Sequence, residues 1–81
     1  MKITVKTFAT IKDICGFAQE DITLADSSTV QDLLNILQDR HPGFESIRGS
    51  ILLAKNEEYC SMNTRLRQGD TVALFPPVSG G

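Results

Sequence analysis

The chain runs out in Phe75-Pro76-Pro77-Val78-Ser79-Gly80-Gly81, residues whose types and order would let a carboxylate react inside another protein. Glycine has no Cβ and enters passages that bulkier residues cannot. A Gly80-Gly81 tip is suited to threading a narrow channel and presenting its last carbon to a partner's active site. Proline fixes φ and biases the residue before it toward extended geometry. Pro76-Pro77 should therefore carry the tip away from the body as a stiff strut. The bland alternative is an ending that merely frays, and the paired prolines favour the strut.

Other chemistry-bearing residues are few. Cys15 and Cys60 are the two cysteines of the chain, and their spacing suits neither a disulfide framework nor a zinc site. Ile14 and Phe17 flank Cys15, and Tyr59 precedes Cys60, so both read as small buried or half-buried apolar residues. His41, the single histidine, precedes Pro42 and reads as a helix-terminus residue. No Gly-x-x-x-x-Gly-Lys phosphate loop is present.

Composition narrows the classes further. With 81 residues there is room for one domain and one modest core. Eight basic residues are scattered without a run, and the net charge is −2. That balance argues against a nucleic-acid partner, which needs clustered Lys and Arg. No apolar stretch approaches the length of a membrane span, and Met1-Lys2-Ile3 leads into a strand-like pattern rather than a signal peptide. The expected location is cytoplasmic, with no membrane partner.

The elements that must position the tip can be read from periodicity. Lys2 to Phe8 alternates, with Ile3, Val5 and Thr7 on one face. Ala9 to Gly16 is a short turn or single helical turn ended by glycine. Glu20 to Ala25 alternates again, with Ile22 and Leu24 facing one way, and pairs with the first strand. Asp26-Ser27-Ser28-Thr29 offers several N-caps. Val30, Leu33, Leu34 and Leu37 then recur at helical spacing, opposite Gln31, Asp32, Asn35, Gln38 and Asp39. The helix closes at Arg40-His41-Pro42-Gly43, and Phe44 to Gly49 is irregular or a short helix. Ile51 to Lys55 is an apolar strand, turned by Asn56-Glu57 into a short strand from Glu58 to Cys60. Ser61 to Arg67 is a loop with Leu66 tucked inward, Gln68-Gly69-Asp70 a turn, and Thr71 to Phe75 the last strand.

One helix cannot bury a leucine stripe alone, but a mixed sheet of four or five strands can cover it. The first and last strands then pair centrally and in parallel, because the helix crossover lies between them. This is an α+β, β-grasp (ubiquitin-like) domain over residues 1–75, with residues 76–81 as a flexible extended tail. If Val72 and Leu74 face the helix, the period of two sends Thr71, Ala73 and Phe75 to the opposite face. Phe75 then sits on the outer face at the tail's root, beside Phe8 or Tyr59. An exposed apolar patch of this kind marks an interface; the competing reading has Phe75 capping the open edge of the core. Arg65 and Arg67 read as solvated loop charges.

The stretch Leu52-Leu53-Ala54-Lys55-Asn56, the turn Gln68-Gly69-Asp70, the strand Thr71-Val72-Ala73-Leu74-Phe75 and the ending Pro76-Pro77-Val78-Ser79-Gly80-Gly81 closely resemble the MoaD-type sulfur carriers, the small subunits of molybdopterin synthase. Phe8-Ala9 and the short helix to Gly16 fit as well, so the resemblance spans essentially the whole chain. It implies a carrier rather than an enzyme. An E1-like partner using ATP and magnesium would adenylate the Gly81 carboxylate, and a persulfide donor would convert it to a thiocarboxylate. The tail (Pro76, Pro77, Val78, Ser79 and Gly80) would then insert into the large synthase subunit, where two transfers build the dithiolene from cyclic pyranopterin monophosphate. Gly81 would be the reacting residue, Gly80 would give close access, and no cofactor or metal would be bound by this chain. Two alternatives share the architecture and the tail. A thiazole-synthesis sulfur carrier usually lacks the Phe-Pro-Pro-Val-Ser segment, and a ubiquitin-like modifier would be joined to target lysines through Gly81. A binding domain with an idle tail ranks last.

Overall fold

Alternation along the first strand and helical spacing in the middle of the chain divide it into a sheet and a covering helix. The structure, a computed structural model, describes residues 1–77. In order, these form β1 (Lys2–Thr7), α1 (Ala9–Cys15), β2 (Gln19–Thr23), α2 (Val30–Arg40), a short 3-10 helix (Pro42–Ser46), β3 (Leu52–Lys55), β4 (Glu58–Tyr59) and β5 (Thr71–Phe75). The five strands make one mixed sheet in the order β2-β1-β5-β3-β4, which is the β-grasp arrangement.

The central pair is parallel, with Val5 beside Val72 and Thr7 beside Leu74. Both outer neighbours run antiparallel, β2 against β1 and β3 against β5. Ile3, Val5, Val72 and Leu74 point inward with no exposure. They meet Val30, Leu33, Leu34 and Leu37 of α2, which are equally buried. Leu66 reaches this core from the loop before β5.

Local chemistry explains where the elements begin and stop. The Thr29 hydroxyl accepts from the Asp32 N–H, and the Asp32 carboxylate accepts from the Thr29 N–H, closing a capping box at the start of α2. His41 ends that helix, its N–H donating to the Leu37 carbonyl. Gly16 ends α1 with φ 77°, a left-handed conformation that favours glycine. The buried Thr7 hydroxyl donates to the Phe17 carbonyl, so no polar group is left orphaned at the end of β1.

Several boundaries differ from the sequence expectation. The segment after Phe8 is a seven-residue helix rather than a single turn. It separates β1 from β2, so their antiparallel pairing is not a tight hairpin. Strand β2 ends at Thr23, although Leu24 stays buried and its N–H bonds the Met1 carbonyl. Cys60 lies past the end of β4. The β2 and β4 differences fall at strand ends, where boundaries are set by one or two residues.

Candidate functional site

The side chains that alternate away from α2 build the outer sheet face. Thr71, Ala73 and Phe75 stand on that face of β5 and are half-buried, whereas Val72 and Leu74 between them are buried. Cross-strand neighbours share a face, so Ala73 lies between Lys6 of β1 and Ala54 of β3, and Ala54 in turn faces Tyr59 of β4. The result is an open hollow of about 660 Å³ lined by Lys6, Phe8, Ala54, Asn56, Glu57, Tyr59, Thr71, Ala73 and Phe75.

Phe8, Tyr59 and Phe75 are thus brought to one surface. Phe8 is 41% exposed and Tyr59 is 80% exposed, values that set them apart from the buried core. The Phe8 and Phe75 rings stack with centroids 4.6 Å apart. Phe75 is not among the apolar side chains packed on the core cluster, which disfavours the core-cap reading. Pro76 is half-buried and Pro77 exposed, directly beyond β5. Val78, Ser79, Gly80 and Gly81 lie outside the described residues.

A polar latch, which sequence reasoning missed, holds one wall of the hollow. Asn56 Nδ2 donates to Asp70 Oδ1 at 3.0 Å, and Asn56 Oδ1 accepts from the Thr71 N–H at 3.0 Å. Asp70 Oδ2 accepts from the Arg67 N–H at 2.7 Å. Burial opposes the Asp70 charge, but the Asn56 amide, the Arg67 N–H and the nearby Lys55 and Arg67 cations together hold its carboxyl below the ordinary value. The latch ties the β3–β4 turn to the start of β5. The Gly-Asp turn before a strand was a visible signal, but its partner Asn56 was not.

The remaining candidates lie elsewhere. Cys15 is buried and Cys60 half-buried, and both thiols are pushed above their ordinary value, chiefly by burial. Neither lines the hollow. His41 caps α2 and tilts against Phe17. Arg65 and Arg67 are exposed and border a separate hollow with Met1, Asp26 and Gln68. That hollow is at the end of the sheet where β1 and β5 begin, away from Phe75. Among the described residues no group of three His, Cys, Asp or Glu side chains could hold a metal ion. No helix among them is long and apolar enough to cross a membrane.

The chemistry this surface supports is docking, with an apolar floor and a proline-stiffened exit beside it. Comparisons with known proteins place the whole chain in a family. The family model described as the ThiS family matches residues 5–81. The molybdopterin synthase sulfur carrier subunit of Chlamydomonas reinhardtii is 34% identical over 83 residues, covering 100% of both chains. The crystal structure of SAMP1 from Haloferax volcanii superposes with a TM-score of 0.87 at 30% identity, covering 100% of each chain. A chain in the complex of subunits 1 and 2 of molybdopterin-converting factor from Helicobacter pylori superposes with a TM-score of 0.74 at 30% identity, also over 100% of each.

Proposed function

The chain belongs to the ThiS family, and on that footing we propose that it is the sulfur-carrier small subunit of a molybdopterin synthase. The observation that carries this reading is the 34% identity to a molybdopterin synthase sulfur carrier subunit across the full length of both chains. The family match also runs through the Gly80-Gly81 ending.

In this reading Gly81 is the reacting residue. A carboxylate is a poor electrophile, and adenylation with release of pyrophosphate supplies a good leaving group, splitting one hard step into two easier ones. An E1-like partner supplies ATP and magnesium for that step. Persulfide sulfur then displaces AMP, and a thiol cleaves the acyl disulfide to leave the thiocarboxylate. The outer face around Phe75, Phe8 and Tyr59 docks on the large subunit while residues 76–80 enter its active site. Catalytic side chains belong to that subunit, where exclusion of water protects the thiocarboxylate from hydrolysis. The chain's own work is to bind, to aim Gly81 and to carry sulfur to cyclic pyranopterin monophosphate.

Intact-mass analysis of the protein purified with its cellular partners tests the chemistry. Exchange of one oxygen for sulfur on the C-terminal peptide is expected. A carboxyl mass alone, under conditions in which the partners make molybdopterin, would sink the reading.

A second reading, a protein modifier joined through Gly81, is favoured by one observation: SAMP1, the small archaeal modifier protein 1 of Haloferax volcanii, superposes more closely than the Helicobacter pylori subunit. Covalent ladders of higher-mass species in cells, lost on deletion of Gly81, would establish that role.

A further inference from the structure

Glu57 stands in a backbone conformation that its residue type disfavours, on the rim of the outer-face hollow. Its φ is 72°, and Asn56 before it has φ 49°. Two successive left-handed residues make the β3–β4 connection a tight turn whose preferred sequence is Asn-Gly. Asn56 suits its place, because asparagine tolerates this region and its amide joins Asp70 and Thr71. Glu57 does not suit its place. A side chain there crowds the following carbonyl, and glycine would relieve it.

Nothing among the described residues uses the Glu57 side chain. It takes part in none of the side-chain hydrogen bonds or ion pairs among the described residues; the ion pairs join Met1 with Asp26 and Arg40 with Glu20. Yet it lines the hollow. Lys6 lines the opposite rim, separated from the turn by the Ala73 and Ala54 positions of β5 and β3. A partner seated there meets an apolar floor with an acidic rim on one side and a basic rim on the other. Strain kept at an exposed turn, for a charge unused inside the fold, points to a use outside it.

We propose that Glu57 is a specificity-determining residue of the docking face, reading a Lys or Arg side chain that the protein partner presents beside its own apolar patch. The inference rests on the carrier reading above and takes the partner to be the large synthase subunit. A rim charge acts mainly on the rate and orientation of encounter, and less on the final affinity.

The test is the association rate of the full chain with its cognate large subunit, measured at low and high salt. Glu57→Gln should slow association severalfold and Glu57→Lys on the order of tenfold at low salt, both with a flatter salt dependence. Glu57→Gly should associate like Glu57→Gln yet melt higher, by roughly 4 °C, because the turn strain is relieved. A purely structural turn residue would not produce that opposition. If Glu57→Lys associates at the wild-type rate with the wild-type salt dependence, the inference is overturned and the carrier reading stands. A lower melting temperature for Glu57→Gly would also overturn it. If the wild-type chain forms no complex with the large subunit, both fall.

Discussion

Phe8 and Phe75 stack face to face, their ring centroids 4.6 Å apart and their planes 6° from parallel. The parallel pairing of β1 and β5 sets Thr7 beside Leu74 on the inner face. One residue further along, Phe8 just beyond β1 and Phe75 at the end of β5 turn outward and form this stack. Phe75 is followed at once by Pro76-Pro77, so the stack braces the root of the tail against β1. In the carrier reading, its position links the proposed docking face to the base of the tail.

Phe75→Ala should leave the fold intact, because Phe75 packs outside the core cluster. Docking to the large subunit should weaken by about 2 kcal/mol, the usual cost of truncating an aromatic anchor. Calorimetry measures the loss, and circular dichroism checks the fold. Phe8→Ala combined with Phe75→Ala should show a coupling of about 1 kcal/mol, the contribution of the stacked pair beyond its area. Unfolding of the single Phe75 variant would make Phe75 a core cap.

Removing Gly81, or adding one residue after it, should abolish sulfur transfer without lowering the melting temperature. The reacting carbon must be the chain's own end in the carrier reading, and the buried core residues among those described end at Leu74. Molybdopterin formation at the wild-type rate by the Gly81-deleted protein would end that reading.

The cysteines should prove chemically quiet. Replacing Cys15 by Ala and Cys60 by Ser should preserve sulfur transfer, at a stability cost of about 1–2 kcal/mol. Burial, followed by the negative charge of Glu20, raises the Cys15 thiol above its ordinary 9.0. Its stability contribution is therefore whole below that value and declines as pH rises past it. Native Cys15 should resist alkylation at neutral pH and react once the chain is unfolded. Rapid labelling in the native state would contradict this.

Asp70→Ala should cost about 1–3 kcal/mol, since it leaves the Asn56 amide and the Arg67 N–H without their acceptor. The wild-type contribution also has a defined pH window. The Asp70 carboxyl is held below its ordinary 3.8 in the folded state, so its stabilisation is whole above that value and is lost as pH falls through the lowered one. Melts taken between about pH 5 and about pH 3 should fall more steeply for wild type than for Asp70→Ala. Parallel slopes would show that the latch carries no such charge effect.

Much of this protein was legible along the chain. The stripe Val30, Leu33, Leu34, Leu37 and the alternation of Ile3, Val5 and Thr7 predicted which side chains are buried, because helix and strand periods are properties of contiguous backbone. Parity within Thr71 to Phe75 alone sent Phe75 to the outer face. The Phe75-to-Gly81 ending pointed to the sulfur-carrier family to which the chain belongs. Tertiary structure decided what stands beside what. Between β1 and β2, where the sequence suggests a short turn or a single helical turn, Ala9 with φ 51° starts a seven-residue helix. Arg65 and Arg67, near Phe75 in sequence, lie at the other end of the sheet. The Asn56–Asp70 latch, the choice of Phe8 over Tyr59 as the ring stacked on Phe75, and a Glu57 without a partner among the described residues depend on strand order, register and loop φ angles. Those are set by distant segments closing on one another, so no local pattern encodes them.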